Sequence, residues 1–226
     1  MTRLFIINFK NYPEISADKT VTLAVAAQKA AKTLNVEIVI APPQPSIAIV
    51  MQNVDIPVFC QHVDDAKTGQ STGFFIPELA RSYGASGSII NHSEHRLSYV
   101  TISNLVQRLK QLDMISVVCA QTPNEVAQLA KLNPDFIAIE PPELIGSGKA
   151  VSKESPKIII DSIKSATQNS KYTQLICGAG IVDQSDVTAA LQLGVEGILV
   201  ASGIIKSNSW YEKILELGSA FTTTRL

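Results

Sequence analysis

Eight short apolar runs recur along the chain, at 4–8, 36–41, 57–61, 87–91, 115–120, 135–140, 174–178 and 197–201. Several are nearly continuous in Val, Ile and Leu, as a parallel sheet covered on both faces requires. The stretches between them carry helical spacing. The clearest stripe is Ile102, Leu105, Val106, Leu109 and Leu112, behind Ser98 and Thr101 as capping residues. Val187, Ala190 and Leu191 mark a second stripe, which stops at Gly194. Weaker helical patterns cover 18–34, 46–52, 74–83, 123–131, 156–168 and 209–218. Eight strands, each followed by a helix, make the count of a closed barrel. The pattern therefore predicts an α/β fold, one (β/α)8 barrel domain over 1–226, with no linker or charge block to divide it. An open doubly wound sheet would place a glycine-rich phosphate turn after its first strand. Here that strand runs into Asn8-Phe9-Lys10 instead.

Composition narrows the class. With 226 residues, 46% hydrophobic and 17% charged, the chain suits a single barrel and is too apolar for disorder. Nineteen Lys plus Arg against 20 Asp plus Glu leave a net charge of -1. That balance supplies no long-range attraction for nucleic acid or an anionic membrane. Neither partner is expected, and an anionic ligand must be held by local groups. Cys60, Cys119 and Cys177 are widely spaced and form no C-x-x-C pair. They read as reduced thiols of a cytoplasmic protein. The first residues lack a signal-peptide pattern, and no apolar stretch approaches the ~20 residues of a membrane span.

In such barrels, functional residues occupy the C-terminal strand ends and the loops beyond them. Those positions hold Asn8 and Lys10 after the first strand, Asn91-His92-Ser93-Glu94 after the fourth and Glu140 after the sixth. Pro-Pro-Glu-Leu-Ile-Gly-Ser-Gly-Lys follows at 141–149, then Gly178-Ala179-Gly180 and Ala201-Ser202-Gly203 after the last two strands. Lys10 stands where a cation faces the mouth, although a solvated loop lysine is the plain alternative. A strand-end hydrogen bond accounts for a lone His92 equally well. Glu140 directly follows Phe136-Ile137-Ala138-Ile139, a costly place for a carboxylate unless it is salt-bridged or functional. Loops after strands seven and eight frequently cradle phosphate through backbone N–H groups. The stretch from His92 to His95 has no zinc spacing and no third ligand, so no metal is expected. His62 and His95 are expected to be surface or loop residues.

Taken in order, Asn8-Phe9-Lys10, His92-Ser93-Glu94 with Arg96, Glu140-Pro141 and Ile145-Gly146-Ser147-Gly148 resemble the successive motifs of the triosephosphate isomerase family. The resemblance spans essentially the whole chain and implies a TIM barrel. It implies a cofactor-independent aldose–ketose isomerase, interconverting dihydroxyacetone phosphate and D-glyceraldehyde 3-phosphate by enediolate proton transfer in glycolysis and gluconeogenesis. By the same resemblance Glu140 is the base, His92 the neutral electrophile and Lys10 the balancing cation. Asn8 and Phe9 fall in the substrate-binding set, with Ile145, Gly146, Gly180, Ala201 and Ser202 at the phosphate. Glu94 is a supporting carboxylate, and 141–149 is a closing lid over the intermediate. A short helix after the fourth strand would help hold His92 uncharged. Cys60-Gln61 and 69–73 resemble the loop that in this family enters a partner subunit, implying a homo-oligomer, dimer or tetramer.

Four departures accompany the match. Asn91 stands where most of the family has glycine, and His95 where arginine is usual. The seventh loop lacks the tyrosine and serine hydroxyls that latch the lid, and Pro141-Pro142-Glu143-Leu144 replaces an aromatic hinge. These features, with the shorter chain, resemble the compact archaeal branch. Another phosphate-handling barrel, such as a sugar-phosphate epimerase, would usually bring metal-binding His and Asp clusters. A non-catalytic sugar-phosphate sensor would have no need of a base facing substrate carbon.

Overall fold

The structure, a computed structural model, describes residues 3–144, 148 and 150–223. Among these residues there are eight strands: β1 (Leu4–Asn8), β2 (Glu37–Ala41), β3 (Phe59–Cys60), β4 (Gly87–Ile90), β5 (Ile115–Ala120), β6 (Phe136–Ile139), β7 (Gln174–Cys177) and β8 (Gly197–Val200). All pair in parallel, in the order β2-β1-β8-β7-β6-β5-β4-β3, and a single bridge between Ile40 and Val58 closes the ring. The chain thus folds as the (β/α)8 barrel that its hydrophobic pattern predicts. The largest difference is β3, which keeps two residues of the expected 57–61. Pro57 has no N–H to give a ladder, and only Phe59 and Cys60 register with β4, opposite Gly87 and Ser88.

The helices are α1 (Lys19–Leu34), α2 (Ile47–Met51), α3 (Pro77–Ser82), α4 (Tyr99–Gln111), α5 (Pro123–Ala130), α6 (Val151–Glu154), α7 (Pro156–Asn169), α8 (Gln184–Gln192), α9 (Ser202–Ile205) and α10 (Trp210–Thr223). Ser98 caps α4 as expected, its hydroxyl accepting from the Thr101 N–H at 3.1 Å. Asp183 and Asp186 form a reciprocal capping box at α8. Two four-residue helices, α6 and α9, have no counterpart in the sequence pattern, because one turn is too short to show a period. Among the described residues, no helix is long and apolar enough to cross a membrane.

Side chains alternate across the barrel wall. Leu4, Ile6, Val39, Phe59, Ile89, Val117, Cys119, Ala138, Ile176 and Leu199 fill the interior, while intervening residues such as Phe5, Ile7, Ile90, Ile137 and Ile139 pack against the helices. This alternation decides which residues reach the mouth. Counting two beyond Ile6, Ala138, Ile176 and Leu199 gives Asn8, Glu140, Gly178 and Ala201, all on the inward face at the C-terminal rim.

Candidate active site

A cavity of about 280 Å³ opens at that rim, and Asn8, Lys10, His92, Glu140, Gly180, Ala201 and Ser202 all line it. Seven of the positions expected from sequence are therefore brought together. Phe9 is a correction. It directly follows β1 and continues the face of Phe5 and Ile7, fully buried against the helices, so its side chain packs the core rather than the cavity. Ile145 and Gly146, with Ser147 and Lys149 of the expected lid, lie outside the described residues. Gly148 is described, has φ +72 and lines the cavity.

Glu140 is 2% exposed. Burial raises its carboxyl from the ordinary 4.5 to about 7, with the Cys119 thiol, Lys10 and the Ser93 N–H opposing the rise. Its Oε2 makes no hydrogen bond among the described residues. Such a group keeps a lone pair for a proton and holds it near neutral pH, as a general base requires. Burial, reinforced by Glu140, pushes the Cys119 thiol well up, so it remains a donor.

His92 places Nε2 3.6 Å from Glu140 Oε1. Its Nδ1 accepts from the Glu94 backbone N–H at 3.2 Å, which leaves the ring proton on Nε2, the nitrogen nearest Glu140. Burial first, then the Lys10 charge, lowers its pKa to about 4, with Glu94 pulling the other way. The expected short helix is absent: residues 93 and 94 form a single turn, closed by the His95 N–H on the His92 carbonyl at 2.8 Å. Neutrality of His92 therefore comes from desolvation and a neighbouring cation, together with one backbone donor.

Lys10 has φ 49, which turns its side chain back over the mouth. Its backbone N–H donates to Asn8 Oδ1 at 3.0 Å, and its carbonyl accepts from Gln61 Nε2 at 2.9 Å. The ammonium donates to Glu94 Oε1 at 2.8 Å, so Glu94 holds both the cation and, through its N–H, the histidine. His62 lies in the loop after β3, within the expectation of a surface or loop residue, and is 9% exposed there, stacked on His95 at 3.9 Å and bonded to Asp64 at 3.2 Å.

Two features escaped the sequence pattern. Gly178 was noted only as part of the glycine turn after the seventh strand, yet a Cβ there would meet Glu140 Cγ at 2.6 Å and Oε1 at 2.9 Å. Its hydrogen makes room for the carboxylate. Gly180, two residues on, has φ +74 and does line the cavity. Cys119 also went unremarked as a neighbour of Glu140. Counting two beyond the inward Val117 on β5 would have found it.

These groups can remove a proton beside a carbonyl and stabilise the resulting oxyanion. The triosephosphate isomerase family model matches residues 3–217. A triosephosphate isomerase of Cenarchaeum symbiosum is 48% identical over 219 residues, covering 97% of this chain and 98% of that protein. Another, of Caldivirga maquilingensis, is 42% identical over 95% of each chain, and one from Methanocaldococcus jannaschii is 37% identical over 95% and 98%. With the barrel, the rim geometry and these matches in agreement, the chain belongs to the triosephosphate isomerase family.

Proposed function

We infer that the protein is a triosephosphate isomerase, interconverting dihydroxyacetone phosphate and D-glyceraldehyde 3-phosphate in glycolysis and gluconeogenesis. The observation that carries the site assignment is the pair of opposite shifts at 3.6 Å, a carboxyl raised to about 7 facing a histidine lowered to about 4. Glu140 takes a proton from the carbon beside the carbonyl. His92 donates from Nε2 to the developing enediolate oxygen, and Lys10 offsets its charge. The proton on Glu140 then returns to the adjacent carbon. A neutral histidine suits this exchange, because its proton must be given and recovered in each turnover. Asn8 positions the substrate, and backbone groups at Gly180, Ala201 and Ser202 face its phosphate end, with 141–149 as the lid. No step calls on a metal or cofactor. A coupled isomerase assay on purified protein, with and without a chelator, tests this directly. Absence of turnover would refute the isomerase, and loss on chelation would point to a metal-dependent barrel.

The same proposal extends to assembly: 1–226 is one domain that works as a cytoplasmic homo-oligomer. Residues 64–75 form a finger whose base is pinched by two bonds. The Asp64 N–H donates to the Phe75 carbonyl at 2.9 Å, and the Phe75 N–H to Asp64 Oδ2 at 2.7 Å. The tip bends at Gly69 and Gly73, both at positive φ, and Phe74 beside it is 55% exposed. A second hollow, lined by Asn11, Gln44, His62, Asp64 and His95, joins the cavity through Asn8, Lys10 and His92. It is the seat we assign to a partner's finger. Shortening 69–73 is expected to give monomers of about 24.3 kDa with reduced activity. An unchanged mass by light scattering would sink the assignment.

A further inference from the structure

Among the described residues two ammonium groups line the cavity, and they are not in the same state. Lys10 is paired with Glu94 at 2.8 Å on the side of His92 and Glu140. Lys206 has no carboxylate partner among the described residues. Its Nζ lies instead over the ring of Tyr12, 5.3 Å from the centroid. Lys206 ends the single turn of α9 that begins at Ser202, its backbone N–H donating to the Ser202 carbonyl at 3.1 Å. Tyr12 belongs to the loop after β1 and also lines the cavity. The ammonium is thus held at the rim by an aromatic face, one helical turn from Ala201 and Ser202.

A phosphate monoester arrives with a charge close to -2 near neutral pH. The whole chain, at -1, does nothing to draw it in. Within the cavity the Lys10 charge is already shared with Glu94. The phosphate end offers backbone N–H groups, which bind anions but carry no net charge. Among the described residues, Lys206 is the positive charge at that end without a carboxylate partner. A cation–π contact at an exposed site is weak enough to give up, whereas a charge-assisted bond to a phosphate oxygen is among the stronger pairings available to lysine.

We propose that Lys206 is a specificity residue for the phosphate dianion: Tyr12 holds its ammonium ready at the rim, and it transfers to a phosphate oxygen when substrate enters. The position argues for a role in capture and binding, since the charge sits away from the pair at 3.6 Å that moves protons. This rests on the isomerase assignment, which turnover by the unmodified protein tests separately in the same assay.

The experiment compares Lys206→Met and Lys206→Arg with the parent. In Lys206→Met, KM for dihydroxyacetone phosphate should rise about 5-fold with kcat changed less than about 2-fold. The inhibition constant of inorganic sulfate should rise alongside KM. The fall of kcat/KM with ionic strength should become shallower, because one screened attraction is gone. Lys206→Arg should restore most of the KM. The slow turnover of D-glyceraldehyde, which has no phosphate, should be the same in all three proteins. Unchanged KM, sulfate inhibition and salt dependence in Lys206→Met would overturn the proposal. So would an equal loss on D-glyceraldehyde, which would make Lys206 a structural support of the rim.

Discussion

Glu140→Gln lowers turnover at least about 10²-fold while leaving phosphate affinity in place. The amide has nearly the volume of the carboxylate, so the cavity keeps its shape and loses only its proton acceptor. The pH profile carries a second part of the same expectation. A base must be ionised to work, and burial holds Glu140 at about 7. The parent's kcat/KM should therefore drop roughly tenfold per unit as pH falls below 7, and this limb should vanish in the residual activity of the variant. His92, lowered to about 4, contributes no inflection above pH 5. NMR of its ring nitrogens should show a neutral ring from pH 5 to 8. A Glu140→Gln protein with near-normal turnover would remove Glu140 from the chemistry, and a histidine titrating near 6.5 would remove the neutral electrophile.

Gly178→Ala is expected to cost between about 10- and 100-fold in kcat, although residue 178 carries no chemistry. The added methyl would stand 2.6 Å from Glu140 Cγ and 3.1 Å from Cδ. Because Glu140 is enclosed, the carboxylate must shift or turn. Reacting atoms displaced by about 1 Å lose on the order of 10²-fold in rate, while overpacking at one buried contact costs stability by only about 1–3 kcal/mol. The signature is a kcat loss with KM held, in a protein whose circular dichroism matches the parent. Were the glycine serving the phosphate instead, KM would rise and kcat would hold, which would defeat the close-packing account.

The strands and the rim were legible because parallel strands buried on both faces leave apolar runs, and in β1, β5 and β6 these ran close to the observed ends. Periodicity fell short where it had too few residues to act on. It extended β3 through Pro57, whose missing N–H is a backbone property rather than a hydropathy signal. It passed over α6 and α9, each a single turn. Asn8, Lys10, His92 and Glu140 were picked by position at strand ends, and they line one cavity. Phe9 was misplaced because a linear motif does not say which wall of the strand a residue faces. His62 does sit in a loop, but its burial there was not foreseen, since it depends on stacking with His95, 33 positions away in the chain.

The opposed shifts of Glu140 and His92 also bear on how the fold exchanges protons with solvent. Glu140 is raised on folding, so its contribution to stability is complete below pH 4.5 and drains away as pH climbs to about 7. His92 is lowered, so its contribution is complete above 6.5 and drains away as pH falls to about 4. Across nearly the same window folding takes up a proton at one residue and releases one at the other. The two slopes oppose each other, so the intact pair itself adds almost no net pH dependence to the barrel's stability there. Removing one member exposes the other: relative to the parent, the fold with glutamine at 140 should strengthen as pH rises from 4.5 to 7, and with glutamine at 92 it should weaken as pH rises from 4 to 6.5. Thermal midpoints of the two variants running parallel across that range would contradict this. The pair that sets the chemistry near neutrality is, by the same displacement of charge, a proton-neutral element of the folding equilibrium.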